Sequence, residues 1–111
     1  MLAPRQGSMI RFGPFEANLR SGELRKQGRK IRVQPQPMKV LAVLLERPGD
    51  LVTRDELRMQ LWPDELYVDF ECGLNRSINK LRYALLDDAN SPAYIETISK
   101  RGYRFISQRV V

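Results

Sequence analysis

The stretch LNRSINKLRYALL, residues 74–86, constrains the fold of this chain more than any other segment. At about 100° per residue, Leu74, Ile78, Leu81 and Leu85 fall within roughly 60° of one another on a helical wheel, so one face of a helix is a core stripe. Arg76, Asn79, Lys80 and Tyr83 point the opposite way, Arg82 lies on the flank, and no Asp or Glu occurs between Cys72 and Leu86. An outer face that carries cations and amides but no acid suits an anionic partner. The competing reading is a solvated face, the ordinary state of an amphipathic helix.

A chain of 111 residues fits one small domain with a single modest core. Its lone Cys72 excludes an internal disulfide, and without histidine a zinc site would need carboxylates almost alone. The commonest general base is therefore missing, and no Gly-rich phosphate loop, nucleophile elbow or Cys redox motif is present. We expect no enzyme, no cofactor and no metal. The longest purely apolar run, VLAVLL at residues 40–45, is too short to span a bilayer, and the start MLAPRQGS lacks a hydrophobic signal core. A soluble cytoplasmic domain without membrane contact is the expectation. The net charge is +6, with twelve Lys/Arg against ten Asp/Glu up to Glu71 and seven against three from Cys72 onward. On this division, positive charge concentrates toward the C-terminal part.

Residues 1–8 contain Pro and Gly without any period and read as a flexible lead-in; residues 9–108 read as the domain. Within residues 9–33, the short segments MIRF, FEANL, ELRK and KIRV are separated by Gly13-Pro14, Ser21-Gly22 and Gly28, which predicts an antiparallel β-meander. From Gln34 the texture changes. Pro37 suits a first helical turn, Val40, Leu41, Leu44 and Leu45 are apolar, and Pro48-Gly49 is a stop, which predicts a helix over 37–47. Thr53 followed three residues later by Glu56 forms a capping box for a second helix ending near Trp62-Pro63. The linker WPDELYVDFE is acidic, and the helix over 72–86 follows it. After Asn90-Ser91-Pro92 the chain closes as strand, basic tight turn and returning strand over about 94–106.

The expected class is α+β: a winged helix-turn-helix with an N-terminal antiparallel β-meander, three helices and a C-terminal β-hairpin wing. In that arrangement the last helix enters the major groove of double-stranded DNA and the hairpin reaches backbone or minor groove. Lys100 and Arg101 sit at the hairpin tip for phosphate or a narrow minor groove. Arg76 suits bidentate recognition of guanine and Asn79 of adenine.

The segments VQPQPMKVLAVLLERPGDLVTRDELRMQLWPD, VDFECGLNRSINKLRYALLDD and YIETISKRGYRFI together resemble the OmpR/PhoB-type winged-helix DNA-binding domain of bacterial transcription regulators. The resemblance covers residues 10–106, with TRDELRMQLW, INKLRYAL and ETISKRGYRF as its most specific parts. In detail the chain is similar to the CadC/ToxR-like branch, in which this domain is N-terminal and a sensor or repeat region follows. Carried over by position, the recognition-helix contacts would fall at Cys72, Arg76, Ser77, Asn79, Lys80 and Arg82, and those of the wing at Thr97, Ser99 and Arg101. Many relatives have consecutive basic residues where this chain has Asn79-Lys80, and a basic residue where it has Ser99, so their base preference does not transfer. The resemblance also implies that the loop before the recognition helix, at Asp64, Glu65, Leu66 and Tyr67, touches RNA polymerase. Against this, Trp62, Leu66, Val68 and Phe70 would pack the loop down, and Asp69 or Glu71 would favour the positive end of the next helix. The resemblance further suggests a monomer in solution that pairs with a second copy on adjacent DNA half-sites.

The alternative from another class is a protein-interaction module that docks a partner through the helix face or through Leu66, Tyr67 and Phe70. RNA is a weaker candidate, because its A-form hides the major groove and the sequence offers no exposed aromatic platform.

Overall fold

The computed structural model describes residues 9–64 and 66–106, without the side chains of Tyr67 and Val68. The lead-in at residues 1–8 therefore lies outside the described residues, as does the end of the chain from residue 107. Four short strands open the domain: β1 (Met9–Phe12), β2 (Phe15–Asn18), β3 (Glu23–Lys26) and β4 (Arg29–Ile31), paired antiparallel in that order. Alternation drives their placement, since Phe12, Phe15, Ala17 and Leu24 are buried and the residues between them are not. The Asn18 side chain stabilises the second turn by accepting from the Arg20 and Ser21 amides at 3.0 and 3.1 Å.

Helix α1 (Pro35–Glu46) begins two residues before the expected start, because Pro35 itself fills the first turn where no amide is needed. Pro37, Met38, Val40, Leu41, Val43, Leu44 and Leu45 are all buried, which makes α1 the central pillar of the core. A strand that the sequence reading missed follows: β5 (Leu51–Thr53), whose Val52 is buried. Thr53 then caps α2 (Arg54–Leu61) with both halves of the capping box formed, as its spacing with Glu56 predicts.

Helix α3 (Tyr67–Leu85) starts five residues earlier than the expected 72 and absorbs the second half of the acidic linker. Phe70 extends the apolar stripe of Leu74, Ile78, Leu81 and Leu85 by one turn and packs edge-on against Trp62, ring centroids 5.5 Å apart. That burial holds the extra turn in helix and corrects the reading of residues 67–71 as loop. Strands β6 (Ile95–Ile98) and β7 (Gly102–Phe105) form the wing, and β5 joins them on the free edge of β7 to give the order β5-β7-β6. Phe12 meets Phe105 at 5.1 Å and Phe15 meets Tyr94 at 5.6 Å, so aromatic rings join the two sheets across one core.

Candidate nucleic-acid interface

The core stripe of α3 fixes what its other side presents. With Leu74, Ile78, Leu81 and Leu85 buried, Cys72, Asn75, Arg76, Asn79, Lys80 and Tyr83 are exposed, Tyr83 at 85%. They line a shallow groove of about 840 Å³ whose opposite wall is residues 31–34, and among the described residues no Asp or Glu lines it. The thiol of Cys72 is free and exposed.

Ser77, Arg82 and Thr97 differ from the other expected contacts in their surroundings. Ser77 is only 4% exposed, because its place on the wheel lies beside the core stripe, and it lines a smaller hollow with Gln34, Arg76 and Lys80. Arg82 turns sideways rather than outward: its Nη2 donates to the Ile95 carbonyl at 2.9 Å and to Thr97 Oγ1 at 2.8 Å. Arg82 and Thr97 thus meet each other and fasten the helix to the first strand of the wing. Arg82 Nε is buried and finds no partner among the described residues.

The wing turn carries Ser99, Lys100 and Arg101, all exposed. Lys100 adopts a left-handed backbone (φ 62°), which costs a non-glycine residue about 1 kcal/mol and closes the turn tightly. The turn is tied down from two sides, by Arg101 N donating to Ile98 O at 2.9 Å and by Arg54 N donating to Arg101 O at 3.0 Å. Behind it, Asp87 receives the amides of Ala93, Tyr94 and Ile95, which sets where the first wing strand leaves the end of α3.

The acidic residues before α3 divide. Glu71 takes the Arg54 guanidinium, from Nε at 3.3 Å and from Nη2, while Arg54 Nη1 donates to the Tyr103 hydroxyl at 3.3 Å. Burial alone would lower the Arg54 pKa, but its bonds to Glu71 and Tyr103 outweigh that and raise it, so the cation is kept. This joint links α2, the second turn of α3 and β7. Sequence reasoning assigned Glu71 to the helix end and missed Arg54, because their separation of 17 residues carries no local signal. Asp69 lies in the first turn of α3, where a carboxylate favours the helix dipole. Of the four loop residues, Asp64 and Leu66 are exposed, Leu66 at 74%, whereas Glu65 and the Tyr67 side chain lie outside the described residues. Phe70 is 1% exposed and belongs to the core, which removes it from any docking surface.

Three helices, a three-stranded wing sheet and an acid-free helix face beside a basic turn define a winged helix-turn-helix domain. Residues 28–105 match the family model described as "Transcriptional regulatory protein, C terminal". The chain belongs to that family, the OmpR/PhoB-type winged-helix DNA-binding domains of transcription regulators. It is 37% identical over 94 residues to the transcriptional regulator HilA of Salmonella typhimurium, covering 85% of this chain and 16% of that protein. To the transcriptional activator CadC of Escherichia coli it is 28% identical over 102 residues, 91% of this chain and 20% of that protein. The chain thus spans a fifth or less of the length of either regulator. Among solved structures, the DNA-binding domain of E. coli CadC superposes with a TM-score of 0.75 at 27% identity, over 94% of this chain and 95% of that one. The Thermotoga maritima response regulator DrrB, an OmpR/PhoB homolog, gives 0.78 at 28% identity over 90% and 45%. Among the described residues, no helix is long and apolar enough to cross a membrane.

Proposed function

We propose that this domain reads a specific double-stranded DNA site for a bacterial transcription regulator, with α3 in the major groove and the wing turn on phosphate or a narrow minor groove. The observation that carries the reading is the exposed face of α3, lined by Arg76, Asn79 and Lys80 without any acid. An α-helix of about 10–12 Å diameter fits a major groove about 12 Å wide, and Arg and Asn make the bidentate contacts that distinguish bases. Arg76 and Asn79 read base edges, and Cys72 and Lys80 border them. Ser99, Lys100 and Arg101 form the wing contact, while Arg82 and Thr97 hold helix and wing at a fixed angle. Two copies occupy adjacent half-sites, and the exposed Asp64 and Leu66 face RNA polymerase. The cytoplasm is the compartment this reading requires.

Selection of bound duplexes from a random pool tests the proposal. A defined site should emerge, and Arg76→Ala or Asn79→Ala should cost about 1–3 kcal/mol on it with far less effect on random duplex. If both variants keep full preference for the selected site, α3 is not the reading element. A protein-docking module would instead give binding that barely responds to salt, whereas several phosphate contacts make affinity fall steeply with salt.

A further inference from the structure

The segment that borders α3 on the side away from the wing carries a cation of its own. Ile31 and Val33 pack against the core, so the period of two turns Arg32 and Gln34 outward together. Gln34 Oε1 accepts from Lys80 Nζ, which fastens this segment to the reading helix. Lys80 and Arg82 are two residues apart on α3 and so point about 160° from each other. One reaches residue 34 and the other reaches the wing at Ile95 and Thr97. The helix is thereby flanked by two arms, each ending in an exposed cation.

Arg32 makes no hydrogen bond or ion pair among the described residues, whereas Lys30 pairs with Glu23 and Gln34 with Lys80. Glu23, the acid lining the hollow on its other side, is already engaged by Arg25 at 3.5 Å and Lys30 at 3.4 Å. Among the described residues, no acid lines the groove that Arg32 shares with Arg76, Asn79 and Lys80. A helix seated in a major groove has a sugar-phosphate backbone along each of its flanks. The wing serves one flank, and the other falls to whatever stands beside Lys80.

We propose that Arg32 is a third DNA-contacting element, a phosphate contact on the strand opposite the one met by the wing. This rests on the DNA reading above and adds the footprint's second edge. A cation two residues of extended chain from Gln34 lies roughly 6–7 Å beyond the helix contact, the right side for a backbone and the wrong side for base edges. Its effect should therefore be independent of sequence.

The test uses duplex carrying a selected site and random duplex, titrated at several salt concentrations with the wild-type domain, Arg32→Ala, and Lys39→Ala as an exposed-charge control on α1. Arg32→Ala should weaken binding several-fold on both duplexes and lower the salt slope by about one, with the control slope unchanged. Phosphate-ethylation interference should lose its signal on one strand only, across the major groove from the phosphates that depend on Lys100 and Arg101. An unchanged slope and interference pattern in Arg32→Ala, with wild-type binding intact, overturns the assignment of Arg32 alone. Loss of site preference at an unchanged slope also overturns it, since Arg32 would then act by shifting α3. A wild-type domain that binds neither duplex overturns the DNA reading itself. Because Arg32 is exposed, thermal unfolding of the variant should match the wild type.

Discussion

The two sheets both carry arginine and lysine on their open surfaces, and they treat them differently. In the four-stranded sheet register places Arg11 opposite Glu16, Glu16 opposite Arg25, Arg25 opposite Lys30, and Lys26 opposite Arg29. Arg11 pairs with Glu16 at 3.0 Å, and Glu23 draws in Arg25 and Lys30. The wing sheet follows the same rule where it is a ladder, since Arg104 stands opposite Glu96 and pairs with it. Only its turn departs. Lys100 and Arg101 lie past the last paired residue, have no cross-strand neighbour, and remain exposed. Among the described residues, the ion pairs of both sheets join ladder residues, and the cations beyond the ladder ends, Arg32, Lys100 and Arg101, make none. Arg32 stands one residue beyond the end of β4.

The severest way to break this comparison is to damage the ladder that holds the wing turn. A Cβ added at Gly102 would come within 2.1 Å of the Val52 carbonyl oxygen and 2.9 Å of Thr53 Cα, both backbone atoms that cannot step aside. Gly102→Ala should therefore cost about 3 kcal/mol, read by denaturant unfolding, and should loosen β5 from β7. A variant as stable as the wild type would show that the wing does not depend on that edge.

Next in size is Arg82→Ala, which removes two hydrogen bonds from a charged donor and should destabilise the fold by about 2 kcal/mol. If Arg82 is a clip rather than a contact, DNA binding should weaken with no fall in salt slope. A slope lower by about one would return Arg82 to the set of phosphate contacts.

Thr53→Ala tests the joint between the wing sheet and α2. Loss of the cap should cost about 1 kcal/mol in thermal unfolding. The charge comparison itself is sharpened by Arg101→Ala beside Arg25→Ala. The first should lower the salt slope by about one on any duplex, and the second, already paired with Glu23, should leave it unchanged. Equal effects would mean that ion pairing within the sheet does not withhold a cation from DNA.

The smallest effect concerns acid. The Glu56 pKa is held below its ordinary value of 4.5, first by the Thr53 amide and then by Arg47, whose Nη2 donates to it at 2.8 Å. A depressed carboxylate stabilises the fold at pH values above the ordinary pKa, and that contribution disappears as pH falls through the depressed one. Glu56→Gln should flatten the loss of stability below about pH 4.5, as followed by thermal unfolding in an acid series. An identical acid profile would show that another carboxylate governs it.

Local chemistry determined a good deal of this domain from sequence alone. The meander follows from turn residues at Gly13, Gly22 and Gly28 that adopt positive φ, the α2 start from the Thr53–Glu56 spacing, and the buried side of α3 from its apolar period. Each of these signals acts within a few residues, where backbone preference and burial point the same way. The charge reading was less complete, because the division at Glu71 merged the basic meander with the acidic middle. Residues 9–33 hold seven Lys/Arg against two Glu.

Only the tertiary structure decided which polar residues of α3 are free. Ser77 and Arg82 share the helix with Arg76 and Asn79 and also have polar side chains. One is buried beside the core and the other turned onto Ile95 and Thr97 because of what packs on each flank. The first turns of α3 likewise depend on Trp62 receiving Phe70, β5 on β7 offering an edge, and the Arg54–Glu71 joint on two helices meeting. These are contacts between residues distant in the chain, and their free energy exists only once the elements have docked, so no local pattern records them.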